Sequence, residues 1–509
     1  MVNSLIINWR GGIKVMLALT IVAFCLFEFV LRRQSGVLGE VEAALVEMQW
    51  MLLVCLAVWC GTFSLLAFST NDLPLIGLLL LAVVAYFNGH AASPGTDTIT
   101  LLAGVTLGRG AAYLLKSKKP TTTGGQLPLL SEGAAEIEVR SQKPEAGNNG
   151  VALIVFVFVV LLTVASMWRP DGVLVFGYRG NARWDGPWDN PNIFGLLMGT
   201  GFALATGSAV SSFQFSVFSQ TKKRDQLRKV IYAFSFLLTA ILMGRGLLHS
   251  FSRGAWIATL CGLVYLAAQV FSFQFSALRF WLRRNWLPLS VVTVSVLVIL
   301  FWQFRWAEWL PVRRAFSVAN VNDFSWRNRI VAWEGALQIA AQHPWLGAGW
   351  NRTEQLYEHY YLSPRLTESA AVQMNDYLML GATLGVPALV CFCMYFWICL
   401  TRSAERGGWN RCHLTPALSL PSGSEEGIVP AAILNLPPSD WLGATCRAGA
   451  IVLLVGFWFD GGLFELPTAA TFWILLELGR ADAKVEGRIQ NEEGHGSTKK
   501  EERNESCAM

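Results

Sequence analysis

From residue 305 to residue 373 the chain carries seven arginines, six carboxylates and no lysine. The bias is chemical. A guanidinium presents a planar fork of N–H donors that meets a phosphate or carboxylate on two prongs, whereas an ammonium is a point charge on a flexible stem. All eleven lysines lie in other segments. An arginine-only stretch between two apolar runs suits an anion with several oxygens, and phosphate is the obvious one.

Three further constellations could carry chemistry. Residues 177–195 include Arg179, Arg183, Trp184, Trp188 and the run Asn190-Pro191-Asn192-Ile193-Phe194-Gly195. Rings beside Asp and Asn suit a sugar, whose faces stack while its hydroxyls need paired donors and acceptors; the same mixture also reads as an aromatic belt with turn residues. Arg179, Arg183 and Asn192 are its candidate ligands. His249-Ser250-Phe251-Ser252-Arg253-Gly254-Ala255-Trp256 is a tight turn, with Arg245 shortly before it. An arginine at a membrane boundary is costly unless paired and is a functional candidate by default, against the plainer role of anchoring a helix end. Gly254 lets the backbone approach whatever Arg253 holds.

Within the arginine-rich stretch, Trp326, Ile330, Trp333, Leu337 and Ala340 recur at helical spacing, which predicts a helix capped by Ser325 and stopped by His343-Pro344. Its apolar face would lie on the membrane surface or against the bundle. Arg329 and Trp333 are neighbours on it, and Arg327 lies one turn or less away. His343 is either a structural cap or an acid–base group. The following Gly347-Ala348-Gly349 is a turn, because no strand precedes it. Gln373-Met374-Asn375-Asp376-Tyr377-Leu378 then opens the next apolar run. Asn375 and Asp376 either cap a helix there or meet substrate. Glu368 or Asp376 could take a proton if desolvation raised its pKa.

These residues need a scaffold that crosses a membrane. A hydrophobic fraction of 53%, with 21 Trp and 31 Phe, exceeds that of soluble domains, and the mean hydropathy is +0.42. Apolar runs long enough for about 30 Å of hydrocarbon lie near 15–31, 49–69, 73–90, 97–115, 151–168, 191–212, 230–248, 254–275, 286–304, 375–400, 446–460 and 466–479. The expectation is an all-α polytopic membrane protein of about twelve transmembrane helices, with one large external loop, 305–374, containing short amphipathic helices. The basic clusters at 116–119, 222–229 and 279–284 are each separated by two spans and share the cytoplasmic side. Residues 169–190, 249–253 and 305–374 then lie outside.

The chain divides into N-terminal spans (1–116), a polar linker (117–150), a core (151–400), a Pro-rich cytoplasmic loop (401–444), two C-terminal spans (445–480) and a charged tail (481–509). Linker and tail cannot bury enough apolar surface to order themselves. The ten cysteines avoid the external segments, so no disulfide framework is implied. A net charge of +5 fits the inside bias and gives no reason to invoke nucleic acid. The first apolar run lacks a small-residue cleavage site, so no cleavable signal is expected.

In this order and spacing, Asn190-Pro191-Asn192-x-Phe194-Gly195, Ser252-Arg253-Gly254-Ala255-Trp256, Arg329-x-x-x-Trp333, His343-Pro344-Trp345-Leu346-Gly347-Ala348-Gly349 and Asn375-Asp376-Tyr377-Leu378 resemble the O-antigen ligase and polymerase superfamily, over roughly residues 150 to 400. The resemblance implies a glycosyltransferase of the bacterial inner (cytoplasmic) membrane, its site facing the periplasm. Such an enzyme takes a glycan from undecaprenyl pyrophosphate and joins it to a lipid, glycan or protein acceptor within the membrane lipid, with no cofactor and no metal. It puts Arg253 and Arg329 on the pyrophosphate; beside them the residues themselves suggest Arg179 and Arg183 as weaker helpers, with Arg245, Arg327, Trp333, Asn192 and Asn375 around the substrate. One position departs. Ligases of the family carry a His-x10-Gly pattern, and alignment on Gly385 puts Met374 in place of the His. A thioether takes no proton at neutral pH. Glu368, Asp376 or His343 then acts as the base, or leaving-group stabilisation suffices, or the activity is changed. The alternatives are a lipid-linked oligosaccharide flippase, which would spread charge through the spans instead of gathering it at one face, and a non-catalytic component of polysaccharide assembly.

Overall fold

The computed structural model describes residues 70–88, 96–115, 147–167, 177–178, 181–188, 190–217, 223–274, 295, 314, 324–350, 352–357, 359, 375–406 and 438–480. These are helical apart from a two-residue antiparallel ladder of β1 (Gly177–Tyr178) and β2 (Asn181–Ala182), in which Gly177 faces Ala182 and Tyr178 faces Asn181. The helices before the turn at 250–252 are α1 (Leu73–Asn88), α2 (Thr96–Leu115), α3 (Gly147–Ser166), α4 (Pro191–Val217) and α5 (Lys223–His249). Beyond it come α6 (Arg253–Gln274), α7 (Phe324–Gln342), the short α8 (Arg352–Leu356), α9 (Asp376–Leu384), α10 (Val386–Arg406), α11 (Pro438–Phe459) and α12 (Leu466–Gly479).

Three stretches are long and apolar enough to cross a membrane: Pro191–Ser212 in α4, Val230–His249 in α5 and Trp441–Phe459 in α11. Shorter apolar stretches occupy α1, α3, α10 and α12. The expected spans 15–31, 49–69 and 286–304 lie outside the described residues. Helix α3 begins at Gly147, inside the expected linker, and α10 and α11 run into the expected cytoplasmic loop from either side. Phe234, Leu237, Leu238 and Ile241 of α5 are each more than half exposed, an apolar face that lipid satisfies and water does not. This is a membrane protein.

One expected span is two helices. Over 375–400 the chain stops at Leu384, turns at Gly385 with φ +91°, and restarts at Val386. The backbone N–H of Val386 donates to Pro344 O at 2.8 Å, so the segment after α7 supplies the partner that the interrupted helix lacks. Helix α9 thereby joins the loop: Met379 and Ala382 pack with Ala332, Ile339, Ala348 and Tyr357.

The bundle is built around α4, whose Phe194, Leu196, Leu197 and Met198 are fully buried. Small residues set the close approaches, as membrane helices require. A Cβ on Gly199 would overlap the Thr259 hydroxyl of α6, and one on Gly108 of α2 would meet the Trp473 backbone carbon of α12 at 2.7 Å. At the turn after α11, Gly461 and Gly462 take φ +71° and +126°, conformations that L side chains rarely adopt.

The expectation that ionisable groups gather at one end is corrected. Away from the turn between α5 and α6, Asp72 is paired with Arg109 at 2.9 Å and with Arg480 at 2.5 Å, and Tyr395 donates to Glu477. Buried charge is stable only when compensated, and these groups compensate one another, tying α1, α2, α10 and α12 together.

Candidate functional site

The turn between α5 and α6 is the geometric centre of the site. Ser252 precedes α6 as its cap, its Oγ accepting from the Ala255 N–H at 3.2 Å. Phe251, buried, has φ +50°. A non-glycine residue held there costs about 1–3 kcal/mol and persists where its surroundings over-determine it. Those surroundings are arginines. Arg183 Nε donates to Ser250 O at 2.7 Å, and Arg314 Nε approaches Phe251 O at 3.5 Å.

Beside the turn, at the end of α11, stands Asp460. Its side chain is 1% exposed and its Oδ1 accepts from Arg329 Nη2 at 2.9 Å. Its Oδ2 accepts from Ser252 Oγ. Gly254 makes room for it: a Cβ there would fall on Oδ2 and lie 2.7 Å from Asp460 Cγ and from Phe459 Cβ. Burial pushes the Arg183 guanidinium down to about 10, while Asp460 supports its charge and Arg314, Arg329 and Arg253 oppose it. Arg183 thus feels three other arginines and one carboxylate, each from a different part of the chain. Among the described residues Arg329 Nε is buried with no hydrogen-bond partner, a spare donor in a site already rich in cations. Such a set can bind a polyanion with fixed donors.

Of the expected residues, Arg183, Arg253 and Arg329 come together here. Asn192 joins them, its Oδ1 accepting from Arg183 Nη2 at 2.8 Å, and Asn190 Oδ1 caps α4. Arg245 is exposed, with its Cζ 5.4 Å from the Trp184 ring centre. The His249 ring stacks on Trp184 at 4.4 Å, so one face of that ring is closed to a sugar. Trp333 packs beside Trp458 at 5.8 Å, and Tyr377 lies 5.8 Å beyond it. His343 follows the end of α7, about 20 Å along the helix axis from Arg329 at 1.5 Å per residue. Arg179, Glu368, Met374 and the Arg327 side chain lie outside what the structure describes.

The loop helix starts at Phe324, one residue before the expected cap, and stops before His343-Pro344 as expected. A second, inner face was not expected: Ala332, Ala336 and Ile339 are buried, while Ile330 and Leu337 of the expected apolar face are exposed, as a face lying on the membrane surface would be. Small side chains win the inner position because α9 comes close.

Asn375 caps α9, its Oδ1 accepting from Tyr377 N and Leu378 N at 3.1 Å. Asp376 is buried and its Oδ2 accepts from the Leu463 N–H at 2.6 Å, holding the α11–α12 turn. Asp376→Ala is therefore expected to cost about 1–3 kcal/mol by leaving that N–H unpaired, whereas Asp376→Asn keeps an acceptor. Thermal melting of the two purified variants checks this. A full loss of transfer by Asp376→Asn at the wild-type melting temperature would instead give Asp376 the acceptor's proton.

Sequence reading missed Asp460 and Arg314. Asp460 is separated from Ser252 by 208 residues and from Arg329 by 131. The available signal was an acid at the external end of an apolar run, a functional candidate by default. Arg314 was one of seven arginines in its stretch with nothing local to distinguish it.

Residues 238–393 match the family described as O-antigen ligase. Over this segment, less than half of its length, the chain is similar to the O-antigen ligase superfamily. No curated protein and no solved structure matches the chain. The O-antigen ligase segment holds Arg253, Arg329, Asn375 and Asp376, while Arg183, Asn192 and Asp460 reach the cluster from outside it. The match supports an O-antigen ligase-like function in general terms.

Proposed function

We propose that the protein is a glycosyltransferase of the bacterial inner membrane that moves a glycan from undecaprenyl pyrophosphate to a lipid, glycan or protein acceptor on the periplasmic side. The observation that carries this reading is the cluster around Arg183, which lies within electrostatic reach of Arg253, Arg314, Arg329 and Asp460, with Arg329 paired to Asp460. In the reaction an acceptor hydroxyl oxygen bonds to the anomeric carbon, the bond from that carbon to the diphosphate oxygen breaks, and the leaving diphosphate keeps the electron pair. Preorganised cationic donors stabilise that growing charge more than any other single device available to an enzyme. Arg253 and Arg329 hold the diphosphate, and Arg183 braces the turn that carries Arg253. The hydroxyl proton goes to a carboxylate, Asp376 or Glu368, or to the leaving diphosphate itself, because Met374 cannot accept it.

Purified protein with lipid-linked glycan and acceptor is expected to transfer in the presence of a chelator and without nucleotide, since the external segments contain no carboxylate or histidine set at metal-ligand spacing. Activity abolished by chelation and restored by a divalent cation would overturn this. A deletion strain separates the products: unextended lipid-linked units accumulate if the enzyme polymerises, and finished polymer accumulates on its lipid if the enzyme ligates. Neither accumulating, with transfer intact, refutes the reading.

A further inference from the structure

Asp460 is the least expected member of the cluster. A site for a diphosphate has no obvious use for a buried carboxylate, which competes with the ligand for the same donors. Yet three features are arranged around it. Arg329 Nη2 and Ser252 Oγ both donate to it. Gly254 keeps the start of α6 bare so that the carboxylate can lie against it. Its backbone N–H donates to Gly456 O at 2.8 Å, and the turn just beyond it is held by Asp376 through Leu463, so its position is set from both sides. Meanwhile Arg329 Nε, buried, has no hydrogen-bond partner among the described residues. Arg329 therefore has one prong engaged and one donor to spare.

Resting on the diphosphate reading above, we propose that Asp460 is a positioning residue and an internal place-holder: its carboxylate aligns Arg329 among like charges and yields that guanidinium to a diphosphate oxygen of the donor. A guanidinium surrounded by other guanidiniums is pushed away from them. A carboxylate bound to it at 2.9 Å supplies the opposing force and a fixed direction. A diphosphate carries more negative charge than one carboxylate and offers oxygens to both prongs, so it displaces Asp460 from Arg329 without dismantling the turn. The arrangement trades ground-state affinity for orientation, which raises turnover only if donors are aligned before charge develops.

The test uses the full-length purified protein, inorganic pyrophosphate as the probe at fixed ionic strength, and transfer from lipid-linked glycan. Asp460→Asn removes the charge at nearly constant shape. Pyrophosphate is expected to bind this variant at least fivefold more tightly than the wild type, because the positive potential rises, while turnover with saturating donor falls at least tenfold. A purely structural role would weaken both. Asp460→Glu restores the charge one methylene further out; wild-type pyrophosphate affinity and partial recovery of turnover are expected. Should Asp460→Asn fail to accumulate, Asp460→Glu carries the test alone, and wild-type turnover or altered affinity there overturns the proposal. Wild-type binding that Asp460→Asn leaves equal or weakens overturns the place-holder alone. No pyrophosphate binding by the wild type overturns the diphosphate reading with it.

Discussion

Arg329→Lys and Arg253→Lys are each expected to lower glycan transfer at least tenfold, about 1.4 kcal/mol of transition-state stabilisation, with the larger loss at Arg329. The reason lies in the number of donors. Arg329 Nη2 is already given to Asp460, and the buried Nε remains available. A lysine in the same place has one nitrogen on a flexible stem and cannot offer two fixed prongs to the diphosphate that takes the place of Asp460. Arg253 opens α6, where its charge adds to the backbone N–H groups of a helix start, a favourable place for an anion. Transfer from lipid-linked donor in membranes of matched protein content is the measurement. Normal transfer by both lysine variants would show that charge alone suffices and that no bidentate contact is made.

Gly254→Ala is expected to be nearly as damaging, although the residue touches no substrate. Two effects oppose each other. Alanine in a helix is favoured over glycine by about 1 kcal/mol. Against this, the added Cβ lies 2.7 Å from Asp460 Cγ and from Phe459 Cβ, and overpacking of a well-filled contact costs about 1–3 kcal/mol. The net effect on stability is thus a modest loss. The effect on transfer is larger, because the atoms displaced first are those of the carboxylate that Arg329 and Ser252 bind. We expect at least a tenfold fall in transfer with a melting temperature lowered by only a few degrees. A variant that transfers normally would mean that the close approach of α6 to α11 is dispensable.

What was legible beforehand was local. The stop at His343-Pro344, the capping asparagine at 375 and the turn at 249–253 all follow from chemistry within a few residues of each position. The three arginines on which the site depends, Arg183, Arg253 and Arg329, were likewise readable, since a guanidinium at a membrane boundary needs a reason to be there. The break at Gly385 was not read, because an apolar run looks continuous until the Pro344 carbonyl that replaces its missing partner is in place.

The sequence alone therefore determined that this is a helical membrane protein, which hydropathy and residue type decide without reference to distant partners; the arginine-based chemistry is what we propose from the same residues. Only the tertiary structure decided which side chains share the site. It turned the small side chains of α7 inward, put His343 at the far end of that helix from Arg329, engaged Asp376 with a backbone N–H, and brought Asp460 across 131 residues to Arg329. The physical reason is that a buried ion pair depends on how closely two helices approach, and that distance is set by where glycines meet bulky neighbours on other helices. No single segment contains both halves of such a contact.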